Sequence, residues 1–243
     1  MKNYGIIITY LFNSGFIVET EKHLLLFDYY KDQTNQGSQE QSKRVEKKIL
    51  ATDKKVFIFV SHRHKDHFNP VILEWSKLRA EINYFLSDDI KPVQKNEGIK
   101  LVAPYQQLEV DDLNTKTYGS TDEGVSFLVK VDELTLFHAG DLNWWYWWDD
   151  PEEEIKMAEH RFKAEIEKMK GERIDLAFFP VDPRLEHNYS IGGEYFIQQL
   201  HPKVLIPMHF GTDYEILSSF VAKVQDFDTK VINITSSPQE ILL

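Results

Sequence analysis

The segment that most constrains this chain is a continuous apolar run, Lys55 to Val60 (KVFIFV), that leads straight into Ser61-His62-Arg63-His64-Lys65-Asp66-His67. An unbroken apolar hexamer reads as a strand buried on both faces, which requires a sheet covered by other layers. Three histidines and a carboxylate at its carboxyl end form a donor set for zinc and similar divalent ions. In an extended segment residues two apart point the same way, so His62 and His64 can grip one ion together. Asp66 and His67, where the chain turns towards the helix expected at 70–79 behind Asn69-Pro70, can address a second. Asp66 is also the candidate catalytic residue.

Two later segments repeat this form. Leu134 to Asp141 (LTLFHAGD) ends on Gly140-Asp141, where the glycine permits a sharp turn that brings a carboxylate to the sheet edge. Val204 to Gly211 (VLIPMHFG) ends on His209. Asp141 is followed at once by Asn143 to Trp148 (NWWYWW), which reads as core or as the wall of a substrate pocket. His187 lies in a loop expected near the site. His23 is expected in a turn, His160 off the apolar stripe of its helix and His201 at a helix end.

Strands dominate the first half: a hairpin of 5–12 and 16–20, then 23–28 ending on Asp28. The polar stretch Lys31 to Lys48 reads as an exposed insertion with a short helix at its end. Strands at 124–131 and 134–138 flank a tight turn at Asp132-Glu133. The clearest helix is 151–170, with Asp150 as its cap and Ile155, Ala158, Phe162, Ile166 and Met169 as its buried stripe. Strand 174–181, helix 190–200, strand 203–208, helix 213–227 and strand 230–235 follow. With no repeat, linker or composition shift, residues 1–243 read as a single domain of β-sandwich type faced by helices.

The balance of 28 basic and 39 acidic residues gives a net charge of -11. Such a surface repels phosphate backbones and argues against nucleic-acid or anionic-membrane partners. With no cysteine, disulfides, thiolate metal sites and cysteine nucleophiles are excluded, as a reducing compartment would suit. Met1-Lys2-Asn3 and Ile6 to Ile8 have the look of a leader, but the run breaks at Asn13-Ser14-Gly15 and reads better as a hairpin. The expected location is cytoplasmic and the expected partner a small-molecule substrate; a homo-oligomer is compatible with the sequence.

H-x-H-x-D-H, a later Gly-Asp after a strand and a later Pro-Met-His after another resemble the ordered motifs of the metallo-β-lactamase superfamily. The resemblance spans Asp28 to His209. His138-Ala139-Gly140-Asp141 and Pro207-Met208-His209 look closest to the branch containing L-ascorbate 6-phosphate lactonase. The resemblance implies an α/β fold, a four-layered αββα sandwich, with two divalent metal ions. It implies His62 and His64 on the first ion, Asp66, His67 and His209 on the second, and Asp141 bridging them, while Asp28 supports the site more than it ligates. The family usually places a further first-metal histidine before Gly-Asp; here Tyr118 to Gly124 (YGSTDEG) has none, leaving Asp122, His138, His187 or a water to replace it. Zinc comes first, and manganese or iron would suit an oxygen-rich site. The implied activity is hydrolysis of a small ester, lactone, amide or phosphodiester. The alternatives are a nuclease, an iron-based sulfur or oxygen enzyme, or a metal-binding regulator without turnover. A true β-lactamase fits neither the absent cysteine nor a cytoplasmic location.

Overall fold

The structure, a computed structural model, describes residues 5–30, 36–91 and 97–243. The leader-like Met1-Lys2-Asn3 and residues 31–35 of the polar stretch lie outside the described residues. The chain forms two compact units, residues 1–102 with 237–243, and residues 103–236.

The first unit is built on a seven-stranded sheet of order β14-β1-β2-β3-β4-β5-β6. Its strands are β1 (Ile7–Phe12), β2 (Gly15–Glu19), β3 (His23–Phe27), β4 (Lys55–Val60), β5 (Ile82–Ser87), β6 (Ile99–Val102) and β14 (Gln239–Leu242). β1 to β3 form an antiparallel meander and β3 to β6 run parallel. One face carries Leu24, Leu26, Val56, Ile58 and Val60, packed with Val45 and Ile49 of helix α1 (Gln36–Ala51). The alternate residues Phe27, Phe59 and Phe85 stack in a ladder across three strands, at centroid distances of 4.8 and 5.0 Å. This is how the apolar run of β4 buries both of its faces.

The first unit departs from the sequence reading at three places. The polar stretch carries a sixteen-residue helix rather than a loop with a short helical end. Val45 and Ile49, four residues apart, are enough to seat it on the sheet. The helix expected at 70–79 is α2 (Val71–Glu74) followed by a 3₁₀ turn, Trp75–Lys77. The Tyr84 and Ser76 hydroxyls donate to the Ile72 and Leu73 carbonyls, helical acceptors that regular winding would use. His23 is not in a turn: it opens β3, fully buried, with its ring 5.8 Å from Phe57.

The second unit has a seven-stranded sheet of order β13-β12-β11-β10-β9-β8-β7. It comprises β7 (Gln107–Val110), β8 (Leu113–Gly119), β9 (Val125–Val131), β10 (Leu134–His138), β11 (Leu176–Pro180), β12 (Val204–Met208) and β13 (Lys230–Val231). β7 to β10 are antiparallel, and β10 to β13 parallel. Asp132 and Glu133 both have positive φ (47° and 62°), the twist that a two-residue hairpin turn demands. Helices α3 (Glu152–Lys168), α4 (Ile191–Leu200) and α5 (Glu215–Lys223) belong to this unit. Pro151, not Asp150, occupies the N-cap of α3 in an extended conformation, without a side-chain cap. Phe162, Ile166 and Met169 are buried, while Ile155 and Ala158 are only half-buried. Among the described residues no helix is long and apolar enough to cross a membrane.

Candidate metal centre

Parallel neighbours deliver their carboxyl ends to the same sheet edge, and there the expected ligands gather in each unit. In the first, β3 ends at Asp28 and β4 at Ser61-His62. In the second, β10, β11 and β12 lead to Asp141, Asp182 and His209. Three of these exits turn through a left-handed residue: Asp28 (φ 41°), Gly140 (φ 54°) and His209 (φ 65°). A left-handed backbone is costly for histidine and is held in place by the surrounding fold.

In the first unit Asp28 is the organiser. Its buried carboxylate accepts the Ser61 N–H at 2.7 Å, the Ser61 hydroxyl at 2.6 Å and His67 Nδ1 at 2.7 Å. Because a carboxylate only accepts, the His67 proton sits on Nδ1 and its lone pair on Nε2. Ser61, having given its proton to Asp28, accepts from His62 Nδ1 at 3.0 Å, which leaves the lone pair of His62 on Nε2 as well. That Nε2 stands 3.0 Å from Nδ1 of His64, and His67 Nε2 stands 3.6 Å from Asp66 Oδ2. Asn13, on the β1–β2 turn, donates to the same Asp66 oxygen at 3.2 Å.

The second unit repeats the device. His209 Nδ1 donates to Asp182 at 3.0 Å, so its lone pair is on Nε2, which faces Asp141 Oδ1 at 3.4 Å. Asp182 is fully buried; burial alone would raise its pKa, but hydrogen bonds from His209 and Arg184 outweigh that and hold it below the ordinary carboxylate value. Sequence reasoning passed over Asp182 and Asn13. For Asp182 the signal was available: Leu176 to Asp182 (LAFFPVD) is another buried strand leading to a carboxylate.

The donor set fits a divalent ion. Two ligands about 2.1 Å from one ion stand roughly 3.0–3.5 Å apart at octahedral to tetrahedral angles. The facing pairs at 3.0 and 3.4 Å fall within that spacing, and the pair at 3.6 Å lies just beyond it. A carboxylate behind the far nitrogen of a ring is the usual support of a ligating histidine. His62, His64, Asp66, His67, Asp141 and His209 all belong to His/Asp groups that could hold a metal ion. Among the described residues Asp122, His138 and His187 belong to none of these groups. Asp122 and His187 are exposed, and His138 Nδ1 accepts the Gly140 N–H at 3.2 Å. From the segment without a histidine, Thr121 accepts the Asn143 N–H at 2.9 Å and donates to the Asn143 carbonyl at 2.6 Å.

The aromatic run after Asp141 divides. Trp144 packs between Phe162 and Tyr195, with centroid distances of 6.1 Å to each. The Trp145 ring centroid lies 5.8 Å from that of His209 with the planes steeply inclined, its Nε1 donates to the Asp141 carbonyl at 3.0 Å, and the ring lies parallel to Trp147.

Solved structures share this arrangement of elements. Igni18, a metallo hydrolase from Ignicoccus hospitalis, aligns at TM-score 0.67 with 14% identity over 98% of each chain. The metallo-β-lactamase fold protein YhfI from Bacillus subtilis aligns at TM-score 0.62 with 14% identity over 97% of this chain and 99% of that one. No family model matches the chain. The fold is therefore the metallo-β-lactamase fold. In sequence the chain is similar to a protein of Opitutus terrae described as a UPF0173 metal-dependent hydrolase, 24% identical over 230 residues and 86% of each chain. The chain thus has the metallo-β-lactamase fold and is similar in sequence to proteins described as metal-dependent hydrolases.

Proposed function

We propose that His62, His64, Asp66, His67, Asp141 and His209 hold two divalent ions, zinc in the first place, and that the chain hydrolyses a small ester, lactone, amide or phosphodiester. The observation that carries this reading is the recurrence, in both units, of a buried carboxylate fixing a histidine so that its Nε2 lone pair faces a second carboxylate. Structural ion pairs have no need of that tautomer; ligands do. When bound, such ions supply a water activated near neutral pH and polarise the attacked group.

The remaining chemistry belongs to the chain's own side chains. Asp28, directly and through Ser61, keeps protons off Nε2 of His67 and His62, and Asp182 does so for His209. Asp66, whose side chain is 45% exposed, is open to solvent and to substrate, unlike the buried Asp28 and Asp182. It is the group able to orient the nucleophile and return a proton to the leaving atom. Asn13 fixes one Asp66 oxygen and thereby the direction of the other.

The lack of cysteine supports a reducing, cytoplasmic setting, and the net charge of -11 favours a small-molecule substrate over nucleic acid. Lactones lead the candidate substrates because of the His138 to Asp141 and Pro207 to His209 segments. Metal analysis of the purified protein, followed by an ester, lactone, amide and phosphodiester panel with zinc, manganese and iron, tests the reading. About two equivalents of metal and metal-dependent turnover are expected. Stoichiometric metal without turnover on any substrate would make the chain a metal-binding regulator instead.

A further inference from the structure

We infer that Trp145 and Trp147 form a binding shelf for a flat, uncharged aromatic group of the substrate; this rests on the hydrolase reading for its orientation towards His209. One residue separates them in the chain, and the Tyr146 N–H bonds back to the Trp144 carbonyl at 2.8 Å, a tight turn centred on Trp145 that brings the two indoles together. Their rings are 6° from parallel at a centroid distance of 6.1 Å, and both are only partly buried. The Trp145 and His209 rings meet at 68° with their centroids 5.8 Å apart, so the shelf begins beside a proposed ligand and continues to Trp147. This separates the two readings of the aromatic run: Trp144 packs against Phe162 of α3 and Tyr195 of α4, and Trp145 and Trp147 are wall.

The shelf is braced from several directions. Trp145 Nε1 is tied to the Asp141 carbonyl, the Tyr146 carbonyl accepts from Asn188 at 3.2 Å, and Thr121 clamps Asn143. Aromatic rings fixed in advance lose little entropy when a ligand ring settles against them.

The charge at the far end of the shelf decides the class of ligand. The Arg184 guanidinium lies 5.8 Å from the Trp147 ring centroid, but its Nε bonds both Asp182 oxygens at 3.0 Å and its Nη2 bonds Oδ2 at 2.5 Å. In this two-pronged contact the opposite charges of guanidinium and carboxylate cancel at a distance. The shelf therefore ends on a neutral pair rather than on a cation that would select a carboxylate or phosphate. A neutral aromatic ring, held by stacking, suits both the indoles and the acidic protein around them.

The test is a binding titration of 2-naphthol, with cyclohexanol as the non-aromatic counterpart, followed by tryptophan fluorescence and saturation-transfer NMR. Wild-type protein should prefer naphthol. Trp145→Ala and Trp147→Ala should each weaken it about fivefold to tenfold, Trp145→Phe should restore most of the loss, and Trp144→Phe should leave affinity unchanged. With 2-naphthyl acetate the two alanine variants should raise KM and spare kcat. Naphthol binding that depends on both indoles supports the shelf even if no ester is turned over, in which case only the hydrolase reading falls. Equal affinity of Trp147→Ala and wild type for naphthol, or equal affinity of wild type for cyclohexanol and naphthol, overturns the inference.

Discussion

Asp28→Asn is the sharpest perturbation of the centre, since it changes hydrogen-bonding sense and hardly any volume. Oδ1 faces the Ser61 N–H, a donor that cannot reverse, so the amide oxygen must stay there and the new NH₂ takes the place of Oδ2. That position now receives from Ser61 Oγ and His67 Nδ1, and the substitution sets donor against donor at both. His67 can restore its bond only by moving its proton to Nε2, the nitrogen that faces Asp66 at 3.6 Å, and a protonated Nε2 cannot ligate. Ser61 must also reorganise, which releases His62 Nδ1. Loss of such outer support typically lowers metal affinity about 10–100-fold, or roughly 1.4–2.7 kcal/mol. The metal-free protein should lose about 1.5–3 kcal/mol with the charge-assisted bonds. Competition for zinc with a chromophoric chelator measures the first quantity, and urea unfolding with chelator present measures the second. A folded Asp28→Asn protein that binds zinc as tightly as wild type would refute the tautomer argument.

Asp66→Asn should abolish nearly all turnover and, because Asp66 is half exposed, shift stability by only about 0.5 kcal/mol; full turnover in a folded variant would remove Asp66 from the proposed chemistry. Asp175 is buried; burial would raise its pKa, but Lys203 at 2.7 Å, the Thr135 N–H at 3.0 Å and Arg173 hold it below the ordinary value. Its contribution is therefore fully present above the unfolded carboxylate value near about pH 4 and is lost as pH falls through the folded one. Asp175→Asn should cost about 1–3 kcal/mol at pH 7 in urea unfolding, with the gap to wild type closing in acid; a constant gap would exclude the charge as its source. At Gly192 an added Cβ would lie 2.0 Å from Asn143 Oδ1 and 3.1 Å from the Trp144 N. Gly192→Ala should destabilise by about 1–3 kcal/mol and perturb the indole signals, and an unchanged melting curve and fluorescence spectrum would show that Asn143 can move aside.

What could be read from the sequence depended on how much signal each element concentrates. β4 and its histidines stood out because apolar character and ligand chemistry are adjacent. The β9–β10 hairpin was legible from its two runs and the short turn between them. Helix α1 was hidden because it seats on the sheet mainly through Val45 and Ile49, too sparse a stripe to register in a polar stretch. The strand at Lys230 shrank to two residues because β13 pairs β12 only through Lys230 and Val231. The ligand-type residues are local in sequence, whereas their supports are not: Asp28 reaches His67 across 39 residues and Asp182 reaches His209 across 27. Asn13 gives no local sign of a role at all, since only folding brings it to Asp66.

The pairing of β14 with β1 sets an order of assembly. Ile7 is matched with Leu242, so the outer edge of β1 has no strand beside it until the whole second unit has been synthesised. Contacts of such separation form late and slowly. Through that interval β1 carries a buried-type sequence, with Ile8, Tyr10 and Leu11 destined for the interior, along an open hydrogen-bonding edge. An open apolar edge is a template for pairing with another chain. The nascent first unit is thus the stage of this protein's life most exposed to aggregation, and the short strand Gln239–Leu242 is what ends that exposure.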